Sequence, residues 1–340
     1  MTFEETDVFV IGGGPAGLAA AIAARQRGLN VVVADGNRPP IDKACGEGLM
    51  PDSRAAAARL GIEIPASAGF EFPGVRFHGA SRSAGAEFQR GRGLGVRRTV
   101  LHKVLIEAAR KAGVEMRWET PVARFEDIRA RWIVGADGSS SRVRSWAGLD
   151  TPVYNTRRFA SRRHYAMAPW TESMEIYWGE GCQIYVTPVA ANEVCVALIS
   201  RSPELRIARA LREFFPALGE RLAGAEISSR ERGAVTATMR LESVVKGNVA
   251  LIGDASGSVD AISGEGMCLA FRQAAALANA LAAGDLERYG RIHPKLAARP
   301  HLMARLMLLL DRGERIRRIG IGGLSAMPWV FEKLLAVHVG

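Results

Sequence analysis

Residues 7 to 11, Asp-Val-Phe-Val-Ile, form a short β-branched run that leads without a break into Gly12-Gly13-Gly14-Pro15-Ala16-Gly17. An Ala-rich helical stretch follows to Arg27-Gly28, so strand, tight turn and helix stand consecutively. A second apolar run, Val31-Val32-Val33-Ala34, ends at Asp35, about twenty residues past the glycines, which completes the spacing of a dinucleotide-binding βαβ unit. Gly12, Gly14 and Gly17 let the backbone turn sharply and approach a pyrophosphate. The helix N-terminus, with Pro15 and Ala16 in its first turn, attracts the phosphate charge, and Asp35 can accept hydrogen bonds from a ribose. A glycine triplet alone could be an ordinary turn; strand, helix and acid in register argue for the nucleotide.

Two further strand ends carry an acid on a glycine turn. Trp132-Ile133-Val134 runs into Gly135-Ala136-Asp137-Gly138-Ser139-Ser140-Ser141, and Val249-Ala250-Leu251-Ile252 runs into Gly253-Asp254-Ala255-Ser256-Gly257. Ends of buried parallel strands host ligands, although Asp137 could instead cap its own turn. Residues 101–112 have helical spacing and stop at Gly113; residues 114–118 read as a strand, and Gly264-Glu265-Gly266 opens a helical run over 267–283. Between these units the pattern turns to alternation. Residues 75–78 and 86–89 read as a hairpin, and 174–178, 182–187 and 193–199 as strands of an antiparallel sheet with one covered face. The expected fold is α/β: a doubly wound Rossmann-type nucleotide domain (1–70, 95–150 and 240–285) with an inserted antiparallel β-sheet domain (71–94 and 151–239) and C-terminal helices (286–340).

Three motifs in this order resemble the FAD-dependent oxidoreductases built like para-hydroxybenzoate hydroxylase: Gly12-x-Gly14-x-x-Gly17 with Asp35, Ala136-Asp137-Gly138 with Ser141 and Arg144, and Gly253-Asp254-Ala255. The resemblance spans residues 5–290. Within that superfamily Lys43-Ala44-Cys45-Gly46-Glu47-Gly48-Leu49-Met50-Pro51 is similar to the cysteine-glycine loop of the geranylgeranyl reductase group, as is the run from Gly253 through Ile262-Ser263-Gly264-Glu265-Gly266. Two departures stand out. Phenol hydroxylases of the superfamily carry a histidine after Gly-Asp-Ala and a proline beyond it, where this chain has Ser256-Gly257 and Ala261; and 114–132 is short for the usual strand meander.

The resemblance implies FAD as cofactor and NADH or NADPH as reductant. It places Gly12, Gly14, Pro15, Ala16 and Gly17 on the pyrophosphate, Asp35 on the adenosine ribose and Arg98 near the flavin phosphate or ribityl. Asp137, Gly253 and Asp254 fall on the cofactor as well. Gly264, Gly266 and Met267, at a helix N-terminus, would offer N–H groups where reduced flavin carries negative charge. Glu265 there can equally be a first-turn acid that favours the helix. Cys45, between Lys43 and Gly46, is the candidate catalytic residue, because a neighbouring cation favours thiolate. The reaction is expected to be reduction of a C=C bond in an apolar, lipid-like substrate; the alternative is a flavin-dependent monooxygenase (hydroxylase) of an aromatic or polyketide-derived substrate.

Tyr177, Trp178, Tyr185, Val186 and Val196 on the inserted sheet are the expected apolar lining. Leu302, Leu306, Leu309 and Leu310 among basic residues suit peripheral contact with an anionic membrane. Forty-five Lys plus Arg against 35 Asp plus Glu give a net charge of +10. That charge, with Arg157-Arg158 and Arg162-Arg163, would also suit nucleic acid, a remote alternative; an NAD-only scaffold is another, and neither explains the later acid motifs. Cys45, Cys182, Cys195 and Cys268 form no CxxC pair and the histidines show no metal spacing, so no metal site is expected. The first residues lack the basic start of a signal peptide, and a cytoplasmic location is expected.

Overall fold

The structure, a computed structural model, describes residues 5–339. Thr6–Ile11 lies inside a six-stranded sheet, pairing in parallel with Val31–Ala34 on one side and Ala130–Gly135 on the other. Its uncharged, β-branched and aromatic part, Val8 to Ile11, is buried throughout, as a strand covered on both faces requires. Glu115–Arg117 extends the first side and Val249–Leu251 the second, both in parallel, with Val245–Lys246 antiparallel at the edge. The chain leaves its first strand one way and later crosses back, the doubly wound order expected. The reversal falls between Thr6–Ile11 and Ala130–Gly135, where open α/β sheets take ligands.

Helix Pro15–Arg25 begins with proline at its first position, where the missing N–H costs nothing. It packs against helices Arg98–Lys111 and Gly266–Ala283. Phe9 and Leu18, both fully buried there, each contribute about 1.5–3 kcal/mol. The connection over 114–132 is as short as expected, holding only Glu115–Arg117 and the 3-10 turn Phe125–Asp127 before Ala130–Gly135.

The second sheet runs Gly257–Ser258, Arg232–Leu241, Pro152–Ala166, Glu193–Ser200, Cys182–Ala190, Met174–Trp178, Gly74–His78, Ser83–Glu87, with Glu226–Ile227 beside Pro152–Ala166. It corrects the expectation of a purely antiparallel sheet, because Met174–Trp178 pairs in parallel with Gly74–His78. Alternation reports a covered face and carries no information about the direction of the neighbouring strand. The hairpin forms with Val75 opposite Ala86, but its second strand is Ser83–Glu87, so Phe88 and Gln89 lie past its end.

One face of this sheet is closed by helices Ile207–Glu213 and Pro216–Leu222. The other meets helices Leu286–Leu310, Glu314–Ala326 and Pro328–Val339. A small sheet of Gly48–Leu49, Gly93–Gly95 and Phe70–Phe72 ties the cysteine loop to the start of helix Arg98–Lys111.

Candidate active site

Four neighbouring parallel strands end on one edge, and each ends on a residue singled out by its motif: Gly12, Asp35, Asp137 and Gly253-Asp254. Gly12 has φ +113, and a Cβ on it would stand 2.4 Å from the Ala136 carbonyl oxygen; a Cβ on Gly17 would stand 1.9 Å from the Gly12 oxygen. The fold itself therefore requires those two glycines. Gly14 and Gly266 differ, since a Cβ on either meets nothing within 4 Å; the same space is open at Gly264, whose φ of +68 favours glycine by itself. Their bare backbone faces open space at this edge, a cradle that a side chain would fill and that suits close approach by a phosphate or a flavin ring.

Each remaining residue has a defined partner. Asp35 accepts from the Gly13 N–H at 2.7 Å and the Asn37 N–H at 2.8 Å. His102, absent from the sequence reading, is fully buried under the turn. Its Nδ1 accepts from the Ile41 N–H at 3.0 Å, so the proton sits on Nε2, which donates to the Gly13 oxygen at 2.7 Å. Burial lowers its pKa, which keeps this neutral donor state. Ala16 packs against Gly253, and Asp254 Oδ2 meets Lys43 Nζ at 3.0 Å. Arg98 Nη1 reaches Met267 Sδ at 3.6 Å, while its Nε is buried with no hydrogen-bond partner among the described residues. An unsatisfied guanidinium N–H costs free energy unless an acceptor arrives, and a phosphate is such an acceptor.

Asp137 takes the capping alternative. Its Oδ2 accepts from the Arg142 and Val143 N–H groups at 2.7 and 3.2 Å, and its Oδ1 from the Ser141 hydroxyl. It shapes the Ala136 turn that presses on Gly12, and its carboxylate is occupied with helix Arg142–Trp146.

The cysteine loop lies across this edge. Lys43, read as the cation beside Cys45, extends to Asp254 instead; Cys45 Sγ receives the Glu47 N–H at 3.4 Å. Thr187 donates to the Gly46 oxygen at 2.8 Å and Cys195 Sγ lies 3.8 Å from the Cys45 oxygen, so the loop is pinned to the second sheet. Cys45 is half-buried, whereas Cys182, Cys195 and Cys268 are buried packing residues. Burial raises the thiols of Cys182 and Cys268 to about 12.

The expected apolar lining separates onto two faces. Tyr177, Val186 and Val196 face helices Ile207–Glu213 and Pro216–Leu222. Trp178 and Tyr185 face the C-terminal helices, Tyr185 donating to the Ile262 oxygen at 2.8 Å just before Gly264. Adjacent residues of a strand point to opposite faces and cannot share a pocket wall, so Tyr177 and Trp178, or Tyr185 and Val186, do not belong to one lining. The paired arginines are absorbed too: Arg158 and Arg162 are buried against Asp260, Asp311 and Asp42, and Arg163 meets Glu231 at 2.6 Å. Arg157 stays exposed, so neither pair presents two adjacent exposed cations to nucleic acid.

Glu265 is buried at the start of helix Gly266–Ala283, and burial, reinforced by Asp52 against the pull of Arg299 and Arg272, raises its carboxyl from 4.5 to about 7. A raised folded-state value means the native protein holds the proton more tightly than the unfolded chain. The resulting stabilisation is complete below pH 4.5 and is lost as pH rises through about 7. Glu265→Gln fixes the neutral state. The variant should match the wild-type Tm at acid pH and exceed it above pH 7, and identical Tm curves across that range would refute the assignment.

Glycine cradle, buried cationic N–H and strand-end acids together define a flavin-binding oxidoreductase. A model described as FAD binding domain matches residues 5–285, and the chain belongs to that family; FAD is its cofactor and it is a flavin-dependent enzyme. It is similar to the menaquinone reductase of Mycolicibacterium smegmatis, 27% identical over 348 residues that cover 89% of this chain and 84% of the relative. The digeranylgeranylglycerophospholipid reductase of Methanocella arvoryzae is 26% identical over 325 residues, 83% of this chain and 80% of that one. Among solved structures, the flavin-dependent brominase Bmp2 shares the fold with a TM-score of 0.83 at 19% identity, covering 99% of this chain and 94% of its own.

Proposed function

We propose that the protein is an NAD(P)H-consuming, FAD-dependent reductase of a C=C bond in an apolar, lipid-like substrate. The observation that carries this reading is the placement of Cys45: the one half-buried thiol, held by a backbone N–H in a loop pinned across the edge where the cofactor cradle opens. Both curated relatives described above are named as reductases, one of a quinone and one of a lipid, which supports the same direction. When bound, the flavin supplies hydride chemistry. The chain's own residues do the rest. Gly12, Gly14, Pro15, Ala16 and Gly17 cradle the pyrophosphate, Asp35 orders the adenosine end, and Arg98 gives its free N–H to a phosphate. Gly253 and Asp254 hold the ribityl chain once Lys43 yields the carboxylate. The backbone N–H groups of Gly266 and Met267, in the first turn of helix Gly266–Ala283, would meet the ring edge that becomes negative on reduction. Cys45 holds a proton beside the substrate.

Two measurements test this. Product mass spectrometry with a panel of polyprenyl and resorcinol lipids, NAD(P)H and labelled oxygen gas should show a gain of two hydrogens and no label; one labelled oxygen atom would establish the monooxygenase instead. Cys45→Ala should keep its flavin and lose about a hundredfold in turnover, the range of a positioned acid. Unchanged turnover would reduce Cys45 to packing.

The apolar substrate fits the C-terminal surface. No helix of the described residues is long and apolar enough to cross a membrane. Leu302, Leu306 and Leu309 form an exposed stripe on helix Leu286–Leu310, and Ile316 and Ile319 are exposed on the next helix, interleaved with exposed Arg305, Arg312, Arg315 and Arg318. Apolar side chains flanked by cations match an anionic bilayer surface. The protein should float with phosphatidylglycerol liposomes at low salt, and Arg315→Gln with Arg318→Gln should weaken binding about thirtyfold, at about 1 kcal/mol per lost cation. A wild type that stays at the bottom of the gradient would sink the membrane contact.

A further inference from the structure

We propose that Glu47 and His164 are a positioning pair that sets where Cys45 stands. The proposal rests on the reading of Cys45 above and adds what holds the thiol in place.

Glu47 is a buried acid at φ +58, the left-handed region that favours glycine, although glycines stand on both sides of it. A non-glycine residue there is strained and persists only where its surroundings over-determine it. What over-determines it is the carboxylate. Oε1 accepts the Arg98 N–H at 2.9 Å, at a helix start whose N-cap residue Arg97 makes no side-chain cap. Oε2 lies 2.6 Å from His164 Nε2. The Glu47 carbonyl also accepts the Val96 N–H at 2.8 Å, and its own N–H is the one on Cys45 Sγ. One residue therefore joins the thiol, the start of helix Arg98–Lys111 and the second sheet.

His164 is fully buried on strand Pro152–Ala166. Arg162 Nη1, a donor only, lies 3.2 Å from its Nδ1, and the Ser229 hydroxyl lies 2.7 Å from the same atom. Nδ1 is thereby an acceptor, and the ring proton sits on Nε2, aimed at Glu47. Arg162 is itself held by Asp42, at the start of the cysteine loop, and its Nε stands 3.8 Å from Glu47. Arg162 and His164 occupy alternate positions of one strand, so both reach the loop from the same sheet face. Glu47, His164 and Cys195 also bring three metal-ligand atoms within 4.8 Å of one another. The Arg162 guanidinium beside them supplies the positive charge that a cation would, and the acid–histidine hydrogen bond uses two of the three donor atoms.

The test uses the flavin-loaded protein and two readouts, iodoacetamide labelling of Cys45 followed by peptide mass spectrometry, and steady-state turnover of the lipid substrate. The other three cysteines are buried and serve as internal controls. His164→Leu should change the Cys45 labelling rate and lower kcat by about tenfold or more, with KM little changed, because displacement of a reacting group by about 1 Å has effects of that order. His164→Gln, which returns an N–H near the Nε2 position, should restore most of both. If His164→Leu fails to retain flavin, Glu47→Gly removes the carboxylate while relieving the backbone, and the same changes are expected. Wild-type labelling in whichever of these variants holds its flavin would overturn the proposal, as would one equivalent of zinc in the purified wild type that is lost with His164. Normal turnover by Cys45→Ala would instead refute the chemical role of the thiol, and the labelling rates would still decide the positioning.

Discussion

Gly14→Val should yield a folded protein that purifies without colour. A Cβ at Gly14 meets nothing within 4 Å, and its backbone, at φ −71 and ψ 177, is extended and open to any residue. Valine there removes no contact of the fold and places two methyl groups in the cradle before helix Pro15–Arg25. The comparison is Gly17→Val, whose Cβ would stand 1.9 Å from a backbone oxygen and which should lose the fold along with the flavin. Visible absorbance, far-ultraviolet circular dichroism and Tm with and without added FAD separate the two outcomes. Wild type stripped of flavin should gain about 4 kcal/mol at a ligand concentration a thousandfold above Kd, and Gly14→Val should gain nothing. A yellow, stoichiometrically loaded Gly14→Val would refute the pyrophosphate assignment.

Arg158→Met should destabilise the protein by about 3–5 kcal/mol, because it leaves buried carboxylates without their cation. Arg158 reaches Asp260 at 3.4 Å, Asp311 at 3.5 Å and the Gln183 oxygen at 2.7 Å. Asp311 is completely buried at the end of helix Leu286–Leu310 and keeps Arg201 at 2.7 Å, which places the loss toward the lower end of that range. Asp260 also accepts the Ile262 N–H and so shapes the turn before Gly264. One arginine thus ties the second sheet, the C-terminal helices and the cofactor loop together. Urea unfolding followed by tryptophan fluorescence measures the loss. Adding Asp260→Asn and Asp311→Asn should recover part of it, since neutral neighbours no longer need the cation; no recovery would mean that packing around the guanidinium stem, not charge, is what the arginine supplies.

The parts of the site that could be read from the chain are those whose physics is local. Gly12 and Gly17 follow from a strand–turn–helix of fixed geometry, and Asp35, Asp137 and Asp254 from apolar runs that stop on an acid. What those acids bind was not readable, because Asp137 spends its carboxylate on backbone N–H groups a few residues on, whereas Lys43, 211 residues away in sequence, comes to Asp254. Period-two spacing could have flagged Arg158, Arg162 and His164 as polar residues on one side of a strand. Arg158 and Arg162, which as sequence suit a basic cluster, are buried ion-pair partners, and His164, which carries no signal of its own, is a buried hydrogen-bond partner. Tyr177 and Trp178 show the converse: adjacent letters that alternation sends to opposite faces.

By itself the amino-acid sequence determined the nucleotide-binding strand ends, the switch from parallel to alternating patterns and the isolation of Cys45 in a glycine-rich loop, because backbone sterics and hydrophobic periodicity act over a few residues. Tertiary structure alone decided the parallel entry of Gly74–His78 into the second sheet, the division of its aromatic residues and the meeting of Glu47 with His164, 117 residues apart. Those depend on which buried polar groups find partners once the core closes, and in a dry interior that matching is settled by three-dimensional proximity, which no local pattern encodes.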